Sequence, residues 1–343
     1  MRAEVQLAEL QLYRENRSCS SSIQVTMSNN SSIPNLNNST GHIEILHVSI
    51  YAFISVFGLI FNLIALFFFY HTKSRSQTIV YMTNLATADI LLILTLPMRI
   101  YYYLGFDNLP QWLCDVLGLV LKANMYGSIF LLTSICFDRC MAVTFPMSTR
   151  VQEWRKKAPL VCLGIWLLTF GASVPIYLSK RSQVVTNVTK YCFDSPPVYA
   201  TNLVVVLPTL FVGFGIPLIV MLIGSWGLAR AVQRSSVAQT DLVDGRKIKR
   251  MIITSLFIFI LSFLPYHVIL VLFPLYGDRN QQPMQAAYIY SLMVACFNTV
   301  LDPVAYYFAT DTFRKSVDMG AVRRMFPLNS QSSETNRSRV PNS

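Results

Sequence analysis

Charged side chains are scarce in this sequence. They make up 13% of its 343 residues, and 53% are hydrophobic, whereas a soluble domain carries about 25% charged residues. This composition, with a mean hydropathy of +0.44, excludes a soluble protein and indicates one that lies in a membrane. The basic excess, 28 Lys and Arg against 17 Asp and Glu, flanks apolar segments instead of alternating with aromatics, so we expect no nucleic-acid partner.

The motifs of catalysis and metal binding are also missing. The sequence has no nucleophile elbow, no zinc-protease motif and no glycine-rich phosphate loop. Its four histidines are dispersed, and its seven cysteines contain no CxxC pair. The apolar spans carry unlike signatures, which argues against the internal repeat of a transporter. We therefore do not expect an enzyme, and a channel would be recognised by current without a ligand.

Seven apolar segments are long enough to cross the hydrocarbon core of a bilayer, which takes about 20 helical residues. They cover residues 45–69, 79–103, 114–146, 158–178, 201–232, 251–275 and 284–308. We predict an all-α membrane protein in which residues 44–310 form a seven-transmembrane helix bundle. The amphipathic pattern of residues 311–324 predicts a short helix on the cytoplasmic surface, and residues 325–343 are expected to be a disordered cytoplasmic tail.

Residues 1–43 are polar and rich in Ser and Asn, and no apolar segment in them resembles a signal peptide. We expect the first span to act as the targeting signal. Lys73 and Arg75 follow this span and Glu44 precedes it, which places the N-terminus outside. Residues 1–43 are then an extracellular tail. The predicted glycosylation sites are Asn16, Asn29, Asn30, Asn37, Asn38 and, in a later outer loop, Asn187.

Two cysteines lie just outside spans on that outer face. Cys114 begins the third span, and Cys192 lies in the loop after the fourth span. If the outer face is oxidising, these two can form a disulfide. Cys19 lies on the same face and has no predicted partner. The cysteines inside apolar runs are predicted to be packing residues: Cys136, Cys140, Cys162 and Cys296.

Ionisable residues within the spans occur at separate depths, and such residues are costly enough in lipid to mark function. By helical rise, Lys122 and Arg139 lie about 25 Å apart along the third span, and Arg99 lies about 15 Å above Asp89 in the second. Arg99 and Lys122 are therefore near the outer side, Asp89 is at mid-depth and Arg139 is at the inner rim. Pro97 is expected to kink the second span just before Arg99.

Arg99 can bind the anionic head group of a ligand, because its planar fork suits phosphate or carboxylate. It can equally extend to the membrane surface or pair with a loop acid. Lys122 is open to the same two interpretations, ligand binding or extension to the surface. The candidate ligand-binding residues are Arg99, Tyr103, Lys122, Tyr126, Arg181, Tyr266 and His267.

Motifs in each span resemble the rhodopsin-like family of G-protein-coupled receptors, over roughly residues 45–324. The motifs are Asn62 in GLIFN, Asp89 in NLATAD, Cys114 with Asp138-Arg139-Cys140, Trp166, Pro217, Phe259 and Pro265 in FIFILSFLP, and Asp302-Pro303-Val304-Ala305-Tyr306. The departures are Cys140 for an aromatic residue, Ser225 for Tyr, Phe263 for Trp and Asp302 for Asn. LPMRIYYY, KANMYGSIF and FLPYH resemble the branch that contains lysophospholipid and nucleotide receptors.

The resemblance implies roles for two sets of residues. One set corresponds to positions that hold a sodium ion in similar receptors, with the ion at Asp89: Asp89, Asn124, Ser128, Asn298 and Asp302. The alternative for this set is a water-filled polar network. The other set corresponds to the G-protein switch, in which Arg139 pairs with Asp138 at rest: Asp138, Arg139, Pro265 and Tyr306. The implied partners are a heterotrimeric G protein, arrestin and membrane lipids, and the implied location is the plasma membrane.

The resemblance also bears on the ligand. Nucleotide receptors of this branch typically carry a basic residue three positions after the sixth-span His, where this sequence has Leu270. They also typically carry more charge in the seventh span, whereas residues 284–301 contain no charged residue. One anionic head group with an apolar body fits better. We predict a receptor for an anionic, lipid-like ligand of the lysophospholipid type that activates heterotrimeric G proteins. A receptor for a nucleotide or another small anion, such as a carboxylate, is the alternative.

Overall fold

The structure is a computed structural model. It describes the backbone of residues 36–71, 76–106, 109–145, 147–183, 192–193, 203–237, 245–276 and 281–309. Side chains are described for residues 45–71, 76–106, 109–145, 147–173, 192–193, 204–230, 253–275 and 283–304. By its internal contacts the chain separates into two units, Met1–Ile45 and Leu46–Ser343. The described side chains do not include those of the predicted glycosylation sites, Cys19, Arg181, Tyr306 or residues 311–343.

Every regular element in the described part of the chain is a helix. In order these are α1 (Leu36–His71), α2 (Gln77–Ile93), α3 (Leu96–Tyr103), α4 (Gln111–Thr144), α5 (Thr149–Arg155), α6 (Ala158–Gln183), α7 (Leu203–Leu210), a π-helix (Phe211–Gly215), α8 (Ile216–Val237), α9 (Gly245–Tyr276), α10 (Gln281–Cys296) and α11 (Asn298–Ala309). The helices follow from long apolar runs, and many of their polar residues are buried, such as Asn62, Asp89 and Asn298.

The helices reproduce the predicted spans. Among the described residues, six helical segments are long and apolar enough to cross a membrane: Ile45–His71, Gln77–Tyr103, Gln111–Thr144, Val204–Arg230, Ile253–Leu275 and Pro283–Val304. A shorter apolar helix, Ala158–Ser173, stands where the fourth span was predicted. The prediction of an all-α membrane protein with a seven-helix bundle is confirmed.

The second span is interrupted between α2 and α3. The break falls at Leu94 and Thr95, just before Pro97, which has no N–H for the helical ladder and whose ring would clash with the carbonyl four residues earlier in a continuous helix. The hydroxyl and the backbone N–H of Thr95 both bond the carbonyl oxygen of Leu92, at 2.6 and 2.8 Å. The predicted kink is therefore present, and it sets the direction of α3, which carries Arg99.

The fifth span contains a wide turn, the π-helix Phe211–Gly215. The N–H of Ile216 bonds the carbonyl oxygen of Phe211, five residues back. Pro217 follows directly and has no N–H to continue a regular ladder. Gly213 lies against Tyr126, since a Cβ at position 213 would be 2.9 Å from the Tyr126 ring. The absence of a side chain at Gly213 lets this turn approach α4.

The third span, α4, is at the centre of the bundle. It contacts α2, α6, α8 and α9. Near its inner end the packing against α8 is close, because a Cβ at Gly224 would lie 3.1 Å from the sulfur of Cys136, and one at Gly227 would lie 3.5 Å from that of Cys140. The cysteines predicted to pack in apolar runs are free thiols here, and Cys136, Cys162 and Cys296 are buried.

Candidate functional site

Arg99 is a buried cation near the outer end of the second span. It lies on α3 and is 4% exposed. Its Nη2 atom donates to the carbonyl oxygen of Leu117 on α4 at 3.3 Å, and its Nε atom is buried without a hydrogen-bond partner. No carboxylate among the described side chains pairs with it. Because a buried guanidinium is costly without charged partners, Arg99 retains unused capacity for an anion.

The other partner of Arg99 is an aromatic ring. The centroid of the Phe193 ring lies 4.3 Å from Cζ of Arg99, a cation–π contact. Phe193 follows Cys192, which is disulfide bonded to Cys114 at the outer end of α4 with their Cα atoms 5.3 Å apart. The predicted disulfide is confirmed, and it anchors the residue next to the ring that covers Arg99.

Tyr103, one turn after Arg99 on α3, belongs to a stack of aromatic rings. His47 on α1 stacks on Tyr103 with the ring centroids 4.7 Å apart and on Tyr290 of α10 at 5.3 Å. Tyr51, one turn after His47 on α1, also stacks on Tyr103, with the ring centroids 6.0 Å apart. These rings join α1, α3 and α10 and place a large apolar surface beside the buried cation.

Lys122 on α4 is a second cation, and it has partners within the bundle. Its Nζ donates to the hydroxyl of Tyr266 on α9. The same atom lies 4.0 Å from the centroid of the Tyr266 ring and 5.4 Å from that of Tyr288 on α10. Lys122 therefore points into the bundle and not to the membrane surface, and it links α4 to α9 and α10.

His267 and Tyr126 complete the group around Lys122. The His267 ring stacks on Phe214 at 4.1 Å and meets Tyr126 edge-on at 5.9 Å. Its Nδ1 lies 2.7 Å from the carbonyl oxygen of Phe263. A carbonyl only accepts, so Nδ1 carries the proton. Nε2 is buried without a hydrogen-bond partner in the described part of the chain, which leaves a buried acceptor for a polar group.

The structure thus separates the predicted ligand residues into two groups. One contains Arg99 and Tyr103, and the other contains Lys122, Tyr126, Tyr266 and His267. Leu121 packs in the same cluster as Tyr103, on the side of Arg99, whereas Lys122, the next residue, contacts Tyr266. Successive residues of an α-helix are about 100° apart, so the two groups lie against neighbouring faces of α4. The side chain of Arg181 lies outside the described residues.

Polar residues at mid-depth form hydrogen-bonded pairs. Asn124 donates to Asp89 at 3.0 Å, and Asn298 donates to Asp302 at 2.6 Å. The two carboxyl groups are close enough to interact electrostatically. Oxygen atoms of Asp89, Ser128, Asn298 and Asp302 are buried without hydrogen-bond partners in the described part of the chain. A cluster of oxygen atoms with two carboxyls is chemically suited to a hard cation such as sodium.

At the inner end of α4 the pairing differs from the sequence prediction. Asp138 was expected to pair with its neighbour Arg139. Instead, Arg155 of α5 binds both carboxylate oxygens of Asp138, at 2.7 and 3.2 Å, and Thr78 of α2 donates to one of them at 2.6 Å. Asp138 is 4% exposed. Arg155 reaches this carboxylate because the chain after α4 forms the short helix α5. The resting role of Arg139 stays a prediction.

Residues 61–306 match the family described as 7 transmembrane receptor (rhodopsin family). The chain belongs to this family. The human lysophosphatidic acid receptor 6 is 31% identical over 289 residues, which cover 80% of this chain and 83% of that receptor. The human cysteinyl leukotriene receptor 1 is 34% identical over 284 residues, which cover 79% and 83% of the two chains. The human lysophosphatidic acid receptor 4 is 31% identical over 300 residues, 82% and 79%.

Membership makes this protein a multi-pass membrane receptor and not an enzyme, as the sequence predicted. Sequence reasoning missed three residues that contact predicted site residues: Phe193, Tyr288 and Arg155. Phe193 was signalled by its place directly after a disulfide cysteine. Tyr288 and Arg155 carried no comparable signal, because each meets its partner only through the packing of separate helices.

Proposed function

We propose that this receptor binds an anionic lipid whose head group is held by Arg99, and that binding activates a heterotrimeric G protein on the cytoplasmic side. The head group is a phosphate or a carboxylate, and the body is a single apolar chain. The observation that carries the proposal is the state of Arg99, which is 4% exposed and has a carbonyl oxygen and an aromatic ring as partners. A guanidinium in that setting gains most from an added anion.

The surroundings of Arg99 favour a lipid over a nucleotide. The stacked rings of His47, Tyr51, Tyr103 and Tyr290 provide apolar contact area next to the cation. A buried acyl chain contributes about 0.8 kcal/mol per CH₂ group, so the chain can supply much of the affinity. The relatives named for lysophosphatidic acid and cysteinyl leukotrienes support an anionic lipid as well. Leu270 occupies the position at which nucleotide receptors of this branch typically carry a basic residue.

The family and the charge pattern support a proposed orientation and proposed partners. The N-terminus lies outside the plasma membrane with its sequons glycosylated, and the inner ends of the spans face the G protein and, after activation, arrestin. Arg139, at the inner end of α4, contacts the G protein when α9 moves outward about Pro265. An agonist drives this change only through its higher affinity for the active state. Protease protection of an epitope at each terminus tests the orientation, and a protected N-terminal epitope on sealed inside-out vesicles is the expected result.

A sodium ion is proposed at Asp89. The buried oxygen atoms of Asp89, Ser128, Asn298 and Asp302 would hold it, and its charge would offset the repulsion between the two carboxyls. The ion would stabilise the resting receptor. Replacing NaCl by N-methylglucamine chloride should raise agonist potency at the wild-type receptor and leave agonist potency at Asp89→Asn unchanged. Equal responses of both proteins to the exchange would contradict this assignment.

The head-group assignment is tested with Arg99→Ala. Cells expressing the wild type or the variant are exposed to lysophosphatidic acid, lysophosphatidylserine, lysophosphatidylinositol, a cysteinyl leukotriene, ATP and UDP, and G-protein nucleotide exchange is measured. Loss of a charged hydrogen-bonding partner costs about 2 to 5 kcal/mol, so potency for the active lipid should fall at least about thirtyfold.

Tyr101→Ala is the matched control, because Tyr101 lies on the same helix two residues from Arg99 and is 45% exposed. It should leave potency within about threefold of the wild type, a difference below 1 kcal/mol. If Arg99→Ala reaches the cell surface and responds to every compound as the wild type does, Arg99 is not the head-group residue. A response to ATP or UDP alone would favour the nucleotide alternative.

A further inference from the structure

The contacts of Arg99 determine which edge of its guanidinium remains available. One face is covered by the Phe193 ring, with the centroid 4.3 Å from Cζ. One in-plane donor is used by the carbonyl oxygen of Leu117 at 3.3 Å. The Nε–H is buried and unpartnered. A ring on the face and oxygen atoms in the plane are compatible with each other, because stacking uses the face of the guanidinium and hydrogen bonding uses its edge.

Both contacts originate at the outer end of α4. Leu117 lies three residues after Cys114, within one turn, and Cys114 is bonded to Cys192, the neighbour of Phe193. Phe193 is further held edge-on against Tyr102 of α3, with the ring centroids 5.1 Å apart at 90°. The ring therefore connects the disulfide to α3 and is fixed on two sides. Arg99, with four side-chain torsions, is held from both its face and its edge.

We propose that Phe193 is a positioning residue for the ligand head group: its disulfide-anchored ring holds the Arg99 guanidinium in one orientation, with the Nε edge presented to the anion. This inference rests on the proposed role of Arg99 in binding an anion. Phe193 acts through Arg99 and not through the anion itself. Its contribution is to order the arginine before the ligand arrives, which lowers the entropy lost on binding.

The proposal predicts coupling between the two residues. Phe193→Leu keeps an apolar side chain of similar size and removes the ring, so the guanidinium becomes free to adopt other orientations. Potency of 1-oleoyl-lysophosphatidic acid and of a cysteinyl leukotriene should fall about tenfold in Phe193→Leu, the loss expected when one flexible side chain must be ordered on binding. In the Arg99→Ala background, Phe193→Leu should have no further effect, since the side chain through which it acts is absent.

Two further variants separate positioning from a general structural role. Phe193→Tyr retains an aromatic face and should keep potency within about threefold of the wild type. Phe106→Leu is the matched control, because Phe106 is also an outer aromatic residue, stacked on Tyr101 at 4.6 Å, and is not in contact with Arg99. It should leave potency unchanged. Surface amount is measured for each variant with an N-terminal epitope, and Phe193→Tyr remains informative if Phe193→Leu fails to reach the surface.

The outcomes distinguish this inference from the function on which it rests. If Arg99→Ala leaves the response to both lipids unchanged, the proposed head-group site is wrong and this inference falls with it. If Arg99→Ala lowers potency but Phe193→Leu does not, or lowers it equally with and without Arg99, the site stands and the positioning role is wrong. Loss of potency in Phe193→Tyr as large as in Phe193→Leu would also overturn it, because the aromatic face would then be irrelevant.

Discussion

Arg99 and Arg155 lie near opposite ends of the bundle, and their partners are the reverse of what their burial suggests. The side chain of Arg155 is 25% exposed, yet it binds both oxygens of the Asp138 carboxylate. Arg99 is 4% exposed and has a carbonyl oxygen and the Phe193 ring. The more buried cation is the less satisfied one. The comparison contrasts a charge that is paired within the fold with a charge that, under the proposed function, is available to a ligand.

The inner arginine is fully committed to its partner. The hydrogen bond from Arg155 to the Asp138 carboxylate raises the pKa of Arg155 above its ordinary value, so this side chain is charged at neutral pH. Thr78 adds a third donor to the same carboxylate. Through these contacts the pair joins α2, α4 and α5, so we expect its role to be structural. It also fixes the position of α5 at the inner end of the bundle.

The largest effect is expected from breaking the disulfide at the outer end. Cys114→Ser or Cys192→Ser should lower the free energy of unfolding by about 2 to 5 kcal/mol and also release Phe193 from Arg99. We expect little receptor at the cell surface, measured by labelling an N-terminal epitope on intact cells. Cys140→Ser is the control, because it makes the same chemical change at a free thiol. Equal surface labelling of the wild type and Cys114→Ser would contradict the structural role of the bond.

The inner pair is tested by Arg155→Ala. Removing one partner of a buried ion pair costs about 3 to 5 kcal/mol, and the partial exposure of Arg155 places the expected loss at the lower end of that range. The unfolding temperature of the purified receptor in detergent should fall by several degrees. Glu153→Gln alters an exposed charge on the same short helix and should leave the unfolding temperature nearly unchanged. An equally small change in Arg155→Ala would show that the pair is not structural.

The same measurement on Arg99→Met should give the opposite sign. Replacing a buried ion by an apolar residue of similar volume is often neutral or stabilising, by about 1 to 4 kcal/mol. The ligand-free receptor is thus expected to unfold at the same or a higher temperature, while its response to the active lipid is lost. If Arg99→Met instead lowers the unfolding temperature as Arg155→Ala does, Arg99 is a structural cation and the contrast between the two arginines does not hold.

Lys122 provides an intermediate case with a smaller expected effect. It has the Tyr266 hydroxyl and ring as partners, so Lys122→Met should cost about 1 to 2 kcal/mol. Because the contact joins α4 to α9, we expect basal nucleotide exchange to rise while agonist potency stays near that of the wild type. Tyr266→Phe, which removes the hydroxyl alone, should give a smaller rise. A loss of potency as large as that of Arg99→Ala would make Lys122 a second anion-binding residue.

The parts of this receptor that could be predicted from its sequence are those set by local composition. Apolar length gave the spans, Pro97 gave the kink before α3, and alternation across the membrane put Cys114 and Cys192 on one side. The family resemblance placed Asp89, Asn124, Asn298 and Asp302 in one set, whereas the hydrogen bonds of Asn124 with Asp89 and of Asn298 with Asp302 are known only from the structure.

The contacts that could not be predicted depend on exact packing. Asp138 and Arg155 are 17 residues apart, and they meet because Ser148 begins α5 by accepting a bond from the N–H of Val151. The neighbour Arg139 was the obvious partner by sequence. The placement of Lys122 near Tyr266 and Tyr288 likewise depends on the rotation of α9 and α10 about their axes relative to α4. That rotation could not be predicted, because apolar residues surround most of each span and do not mark the face that packs inward.

The π-helix of the fifth span makes this helix sensitive to chain length. Its turn accommodates one residue more than an α-helical turn, and Phe214, within it, faces His267. Deleting a single residue between Phe211 and Gly215 would restore a regular α-helix. The side chains before the deletion would then be rotated about the helix axis by about 100° relative to those after it. Gly224 and Gly227 would keep their places against α4 while the outer third of the span rotated, so a one-residue deletion would redirect that third without unfolding the helix.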